Sequence, residues 1–226
     1  MLAHGALLLI VIGLFVEAQF GSTSYFVNGV RYSIPYKYEF SRNVRLPWLE
    51  NVKGLEPEPE QSIWLMLPAE ELARDIKGYS ELFHGYSSEV PASLVVNILG
   101  GKEAHEFSDD LKHRWEQIDS LGHEGGRREA DPTGWERVIW SEGEKGSPAE
   151  GHLSFYLIST SHKPMTSNWL PPSCLASPDI NMHEIYNCNF TIMGKGRTFT
   201  FRLSRENLDL AARIPAYIGV RLDKWR

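Results

Sequence analysis

The chain has little cysteine, no long hydrophobic run and no excess of positive charge, and each shortage removes a class of protein. Its longest uncharged apolar stretch, Ala6 to Val16 in "ALLLIVIGLFVEAQF", is 11 residues long. A membrane-spanning helix needs about 20. No other segment comes closer, so no membrane contact is expected beyond an uncleaved N-terminal anchor. Lys and Arg number 23 against 29 Asp and Glu, a formal charge of −6. A nucleic-acid-binding domain needs a basic face, so nucleic acid is not an expected partner. A mild acidic excess serves solubility and also suits a basic protein partner, because complementary charge speeds association. Two cysteines, Cys174 and Cys188, are too few and too far apart for a C-x2-C zinc ligand pair.

Eleven apolar residues at the extreme N-terminus have the length of a secretory leader's core, with Glu17 ending the run. Residues 1–18 are predicted to be a signal peptide cleaved after Ala18, although no Lys or Arg precedes the apolar run. Cleavage removes Glu17 and leaves a charge of −5. The remainder, 19–226, is predicted to be a single α+β domain, or two fused halves at 19–121 and 135–226. Export places the chain in an oxidising compartment, where Cys174 and Cys188 would form one disulfide. It would close a loop of roughly 15 residues and contribute about 3 kcal/mol. In the cytosol the same pair would be two buried thiols.

Along the body, "SYFVNGVRYSIP" is the clearest local signal. Asn28-Gly29 separates two runs rich in β-branched and aromatic residues, which predicts a tight hairpin of 25–27 with 30–34, stopped by Pro35. "GLEPEPEQ" (54–61) is a connector, "SIWLML" a buried strand, and "PAEELARDIKG" a short helix opened by Pro68 and followed by Gly78. "ASLVVNIL" (92–99) is a second buried strand. "SDDLKHRWEQIDSLG" is predicted to be a helix with Ser108 as its cap, and 122–134 an exposed Gly-rich loop. Further on, 134–140, 152–159, "EIYNCNFTIM" and "RTFTFRL" predict an antiparallel meander, interrupted by an irregular stretch from Thr160 to about Met182. "SRENLDLAARIPAYIGVRLDKW" is predicted to close the chain as an amphipathic helix capped by Ser204 and kinked or broken at Pro215. The fold class is therefore α+β, with meander sheets packed against amphipathic helices.

Chemistry-bearing patterns fall short of their requirements. The pairs His105-Glu106, His123-Glu124 and His183-Glu184 lack the second His of H-E-x-x-H. "HGYSSE" (84–89) has Glu89 where a nucleophile elbow needs Gly. "MGKGRT" (193–198) joins strand to strand and not strand to helix, so it reads as a turn rather than a phosphate loop. No catalytic residues, metal ligands or cofactor are assigned. Asn189-Phe190-Thr191 matches a glycosylation acceptor but falls within a strand.

The segment 160–182 is the candidate interaction element, because long structureless loops are uncommon in compact domains and are often functional. Met165, Trp169, Leu170 and Asp179 are the residues expected to meet a partner, with one end of the loop tethered through Cys174. The alternative is that Trp169 folds back onto the protein's own core.

"FVNGVRYSIPYKY" (26–38) resembles the F-x-x-x-G-x-x-Y-x-I-P-x-x-Y opening of many exported proteobacterial proteins of unknown or immunity function, through Phe26, Tyr32, Ile34, Pro35 and Tyr38, with the gap to Gly29 one residue short. The end of the chain is also similar: a cysteine-bearing strand, a hairpin and a helix closing on Trp225. The resemblance implies a periplasmic immunity protein whose partner is a cognate type VI secretion toxin of the phospholipase kind. It transfers no inhibitory residue. The rival readings are an envelope hydrolase acting on glycan or lipid through carboxylates, and a glycan-binding module.

Overall fold

Asn28 and Gly29 adopt positive φ, 50° and 74°, as the tight turn requires, and join β1 (Ser22–Val27) to β2 (Val30–Pro35). The pairing runs from Val27↔Val30 out to Ser22↔Pro35, with the proline at the end of the ladder. The computed structural model describes residues 21–40, 62–84, 88–100, 116, 118, 120–121, 127–143, 150–159, 169–178, 184–194 and 197–226. The predicted leader, the connector 54–61, Met165 and Asp179 lie outside these residues. So does most of the helix expected after Ser108, of which Glu116, Ile118, Ser120 and Leu121 are helical.

A short 3-10 turn, Tyr36–Tyr38, follows the first hairpin. Next come β3 (Ile63–Leu67), α1 (Ala69–Asp75), a small hairpin of β4 (Leu82–His84) with β5 (Glu89–Pro91), and β6 (Leu94–Leu99). The rest of the chain contributes β7 (Arg127–Ala130), β8 (Trp135–Glu142), β9 (Leu153–Ser159), β10 (Trp169–Pro178), β11 (Glu184–Gly194) and β12 (Arg197–Ser204). A 3-10 segment, Arg205–Leu210, and α2 (Ile214–Lys224) end it. Among the described residues eight strands form one antiparallel sheet in the order β3-β6-β12-β11-β10-β9-β8-β7. The predicted meander is its larger part, and β3 and β6 extend that sheet beyond β12. Strands dominate the described residues, with a few helices that include the C-terminal one.

One face of the sheet is covered. Directly opposed residues repeat across it, as in Leu65↔Val96↔Phe201↔Phe190. Ile214, Ile218 and Leu222 of α2, Leu72 of α1 and Val27, Tyr32 and Ile34 of the first hairpin join the same core. At about 25 cal/mol per Å² of apolar surface removed from water, this layer is the main stabilising contribution. The chain end is fastened to the first hairpin: Ser33 N–H donates to the Trp225 carbonyl at 2.6 Å, and the Tyr38 and Trp225 rings lie 5.0 Å apart. Between the helices, Arg221 donates to Glu71 at 3.0 Å and to Asp75 at 2.9 Å, while Tyr38 O–H donates to Glu71 at 2.7 Å.

Five expectations are corrected. "SIWLML" is buried on alternate residues: Trp64 and Met66 remain 50% and 39% exposed, because β3 is an edge strand with only one covered face. The segment 160–182 is not irregular throughout, since Trp169–Pro178 is a strand. Its prolines fit because the register shifts between Leu170 and Ser173, so Pro171 and Pro172, which have no N–H to donate, occupy a bulge. The loop 122–134 contains β7, an edge strand whose charges suit the exposed end of a sheet. Ser204 makes no capping hydrogen bond; it ends β12, and a 3-10 segment precedes the helix. Pro215 stands in the first turn of α2, where its missing N–H costs nothing, so it starts the helix instead of kinking one.

Cys174 and Cys188 are directly opposite on β10 and β11 and form the expected disulfide, 14 residues apart in sequence. Both side chains are buried. Replacing the pair by Ala is expected to lower folding stability by about 3 kcal/mol. Urea denaturation of the oxidised protein checks this, and an unchanged midpoint would show that the sheet already imposes all of the constraint.

Candidate functional site

Of the four residues predicted to meet a partner, Trp169 and Leu170 are in the described structure. Trp169 opens β10 opposite Ile192, partly buried, with its ring edge-on to Phe190 at 6.2 Å and 89°. Leu170 is buried. Both therefore sit on a strand that the disulfide crosslinks to its neighbour, and Trp169 packs against the core as the alternative reading held. The ring keeps a partly open side, so it stands at a rim and not at the tip of a free loop.

Sequence reasoning missed the opposite face of the sheet. Register puts Trp64 beside Asn97, and Met66 beside Val95, away from the buried row. Leu175 is paired with Ser154 and Asn187 on this side and is 51% exposed. Trp140, 48% exposed, lies beside Tyr156 with ring centroids 6.3 Å apart. Phe40 flanks Trp64 at 6.2 Å, and its N–H donates to the Trp64 carbonyl. The alternation needed to see this is present in "IWLML", but every residue there is apolar, so period two is invisible to a polar/apolar count.

The polar groups of the covered side are held in a buried cluster. Asp131 accepts from Arg137 Nε at 2.5 Å, from Tyr186 O–H at 3.0 Å on both oxygens, from Thr133 N–H at 2.8 Å and from the Thr133 hydroxyl. Burial pushes the Asp131 carboxyl up, but the Thr133 hydrogen bonds and Arg137 outweigh it and hold it below the usual carboxylate range. Burial likewise pushes the Tyr186 phenol up. Gly134, at φ 86°, completes the turn that brings Thr133 under the carboxylate. With every oxygen engaged, Asp131 is a structural anion and not a poised base. The carboxylate of Glu71 behaves similarly: burial raises it, and hydrogen bonds from Lys37, Tyr38 and Arg221 bring it below its ordinary value.

The two ends of "HGYSSE", His84 and Glu89, pair across β4 and β5, so the chain on either side is strand and not helix; 85–87 lie outside the described residues. Among the described residues no three His, Cys, Asp or Glu side chains gather as metal ligands. No helix of the described residues is long and apolar enough to cross a membrane.

No family model and no curated protein matches the chain. Among solved structures, the chain is paired with PA94 from Pseudomonas aeruginosa, a protein of unknown function, at 13% identity over 89% of this chain and 94% of that one, with a TM-score of 0.24. A likeness at that level transfers neither fold nor role.

Proposed function

We propose that the protein is an exported immunity protein that binds and inhibits a cognate secreted antibacterial toxin of the phospholipase kind, without catalysing a reaction. The observation that carries this reading is the set of half-exposed Trp64, Met66, Leu175 and Trp140 on the second face of a crosslinked sheet, a face where Val138 and Asn97 are buried but these four side chains are not. Aromatic residues and Met are enriched at protein interfaces, and Trp is the commonest residue to dominate binding energy. A rigid sheet presents such side chains with little ordering cost on association. The disulfide agrees with an oxidising compartment such as the periplasm. The acidic balance of the chain suits a basic or polar cleft in the partner.

The test is co-purification of the exported protein with the product of the adjacent gene, followed by titration. Trp64→Ala is expected to weaken the complex by about 2 kcal/mol, roughly thirtyfold, while leaving the urea midpoint nearly unchanged. Trp169→Ala, on the rim of the covered face, tests the loop-end contact expected from the sequence. If the purified protein binds no product of a neighbouring gene, the reading fails. If it binds glycan through Trp64 or turns over an envelope substrate, one of the rival readings replaces it.

A further inference from the structure

A small concavity opens on the second face of the sheet where β6, β12 and β11 lie side by side, walled in part by the chain around Tyr79 and the β4 hairpin. Its volume is about 190 Å³, and its walls include Tyr79, Phe83 and Val95. Its polar lining is Ser93, Asn187, Arg202 and Ser204. Register explains their meeting. Asn187 and Ser204 are directly opposed on β11 and β12, and Arg202 lies two residues before Ser204, on the same face.

Ser204 is only 7% exposed, yet its Oγ has no hydrogen-bond partner among the described residues. A buried hydroxyl left unmatched costs on the order of 1–3 kcal/mol, so an unmatched one lining a cavity points to something that fills it. Arg202 is exposed at the mouth of the concavity and holds no carboxylate among the described residues, so its guanidinium is open to a ligand anion. Tyr79 cannot supply a further donor, because its hydroxyl is committed to the Ala92 carbonyl at 2.5 Å. It offers a ring face.

We propose that this concavity is a binding site for a small carboxylate with a compact apolar body. The planar guanidinium of Arg202 matches two carboxylate oxygens, and the Ser204 hydroxyl and Asn187 amide donate from the floor. The single cation fits a monoanion and not a phosphate dianion. Tyr79, Phe83 and Val95 contact the hydrocarbon part. The volume lies below the roughly 300 Å³ where pockets for drug-sized ligands begin, so the ligand is smaller than those. This site does not depend on the toxin-binding reading, and either can fail alone.

Isobutyrate titrated into the ¹⁵N-labelled full chain is the test, with isobutyramide as the neutral isostere. Isobutyrate is expected to shift the amide signals of Asn187, Arg202 and Ser204, saturating on the order of millimolar. Isobutyramide should bind about tenfold more weakly, and Arg202→Met should cost isobutyrate about tenfold. Ser204→Ala should also weaken isobutyrate while leaving the thermal midpoint of the free protein unlowered, since the hydroxyl has no partner among the described residues to lose. Shifts absent or centred elsewhere would overturn the proposal, as would equal binding of acid and amide. So would a Ser204→Ala protein that loses stability and keeps its affinity, because the hydroxyl would then be structural.

Discussion

Asp131→Ala is expected to lower folding stability by about 3–5 kcal/mol, seen as a fall in the urea midpoint with little change in slope. The side chains of Asp131 and Arg137 are 0% and 5% exposed. Removing the carboxylate takes the nearest anion from a buried guanidinium, and Glu129, 3.8 Å from Arg137 and more exposed, is a weaker counter-charge. Tyr186 and Thr133 lose their acceptor in the same step. The Phe155 and Tyr186 rings, 4.7 and 5.1 Å from the guanidinium, soften the loss without cancelling it. Asp131→Leu combined with Arg137→Met should cost less than the single Ala change, because no buried cation is left without its closest carboxylate. A single variant within about 1 kcal/mol of the parent would show that water reaches the cluster and that the pair is not truly desolvated.

The same carboxylate gives the stability a direction in pH. Its folded pKa is lowered. The unfolded chain therefore binds the proton more readily, and the contribution is complete above the unfolded value of about 3.9. It disappears as pH falls through the lower folded value. Glu71 and Asp75 are lowered too and add in the same direction. The part of the acid-induced fall that is missing from the Asp131→Ala protein isolates the Asp131 share.

How much of this was legible in the sequence varies with how local the cause is. The first hairpin follows from two residues, Asn28 and Gly29, and the disulfide from there being only two cysteines, read on the expectation that the chain is exported. Proline grammar misled at both ends of its range. Pro171-Pro172 reads as a loop, but a bulge lets the strand pass through it. Pro215 reads as a break in a long helix, but it is the beginning of a shorter one. The joining of β6 to β12 pairs residues about a hundred positions apart and leaves no short-range signature. Asp131 sat within an expected surface loop because nothing near it in sequence announces Tyr186, 55 residues later, as its partner. The small concavity was out of reach for the same reason, since Tyr79 and Ser204 meet only after the sheet has formed.

Phe190→Ala is the second large effect, an expected loss of about 3–5 kcal/mol. The ring is fully buried, stacked on Phe201 at 5.3 Å with planes 5° apart, and met edge-on by Trp169. It lies between Asn189, paired with Ser173, and Thr191, paired with Leu170, so it faces the bulge made by the two prolines. The bulged backbone is unable to close over a void by simple sliding, because Cys174 pins β10 two residues further on. A persistent cavity is the expensive outcome of a large-to-small change. Trp169→Ala should cost less, since that ring is only partly buried, and the two losses should fall short of additivity by the worth of their contact, about 0.5–1.5 kcal/mol. The comparison also separates packing from recognition. If Trp169 serves the core alone, its variant loses stability and keeps partner affinity when both proteins are fully folded. If the rim of the sheet is part of the interface, Trp169→Ala loses affinity at a temperature where its folded fraction is complete, and Phe190→Ala, which frees the ring it supports, follows it in the same direction.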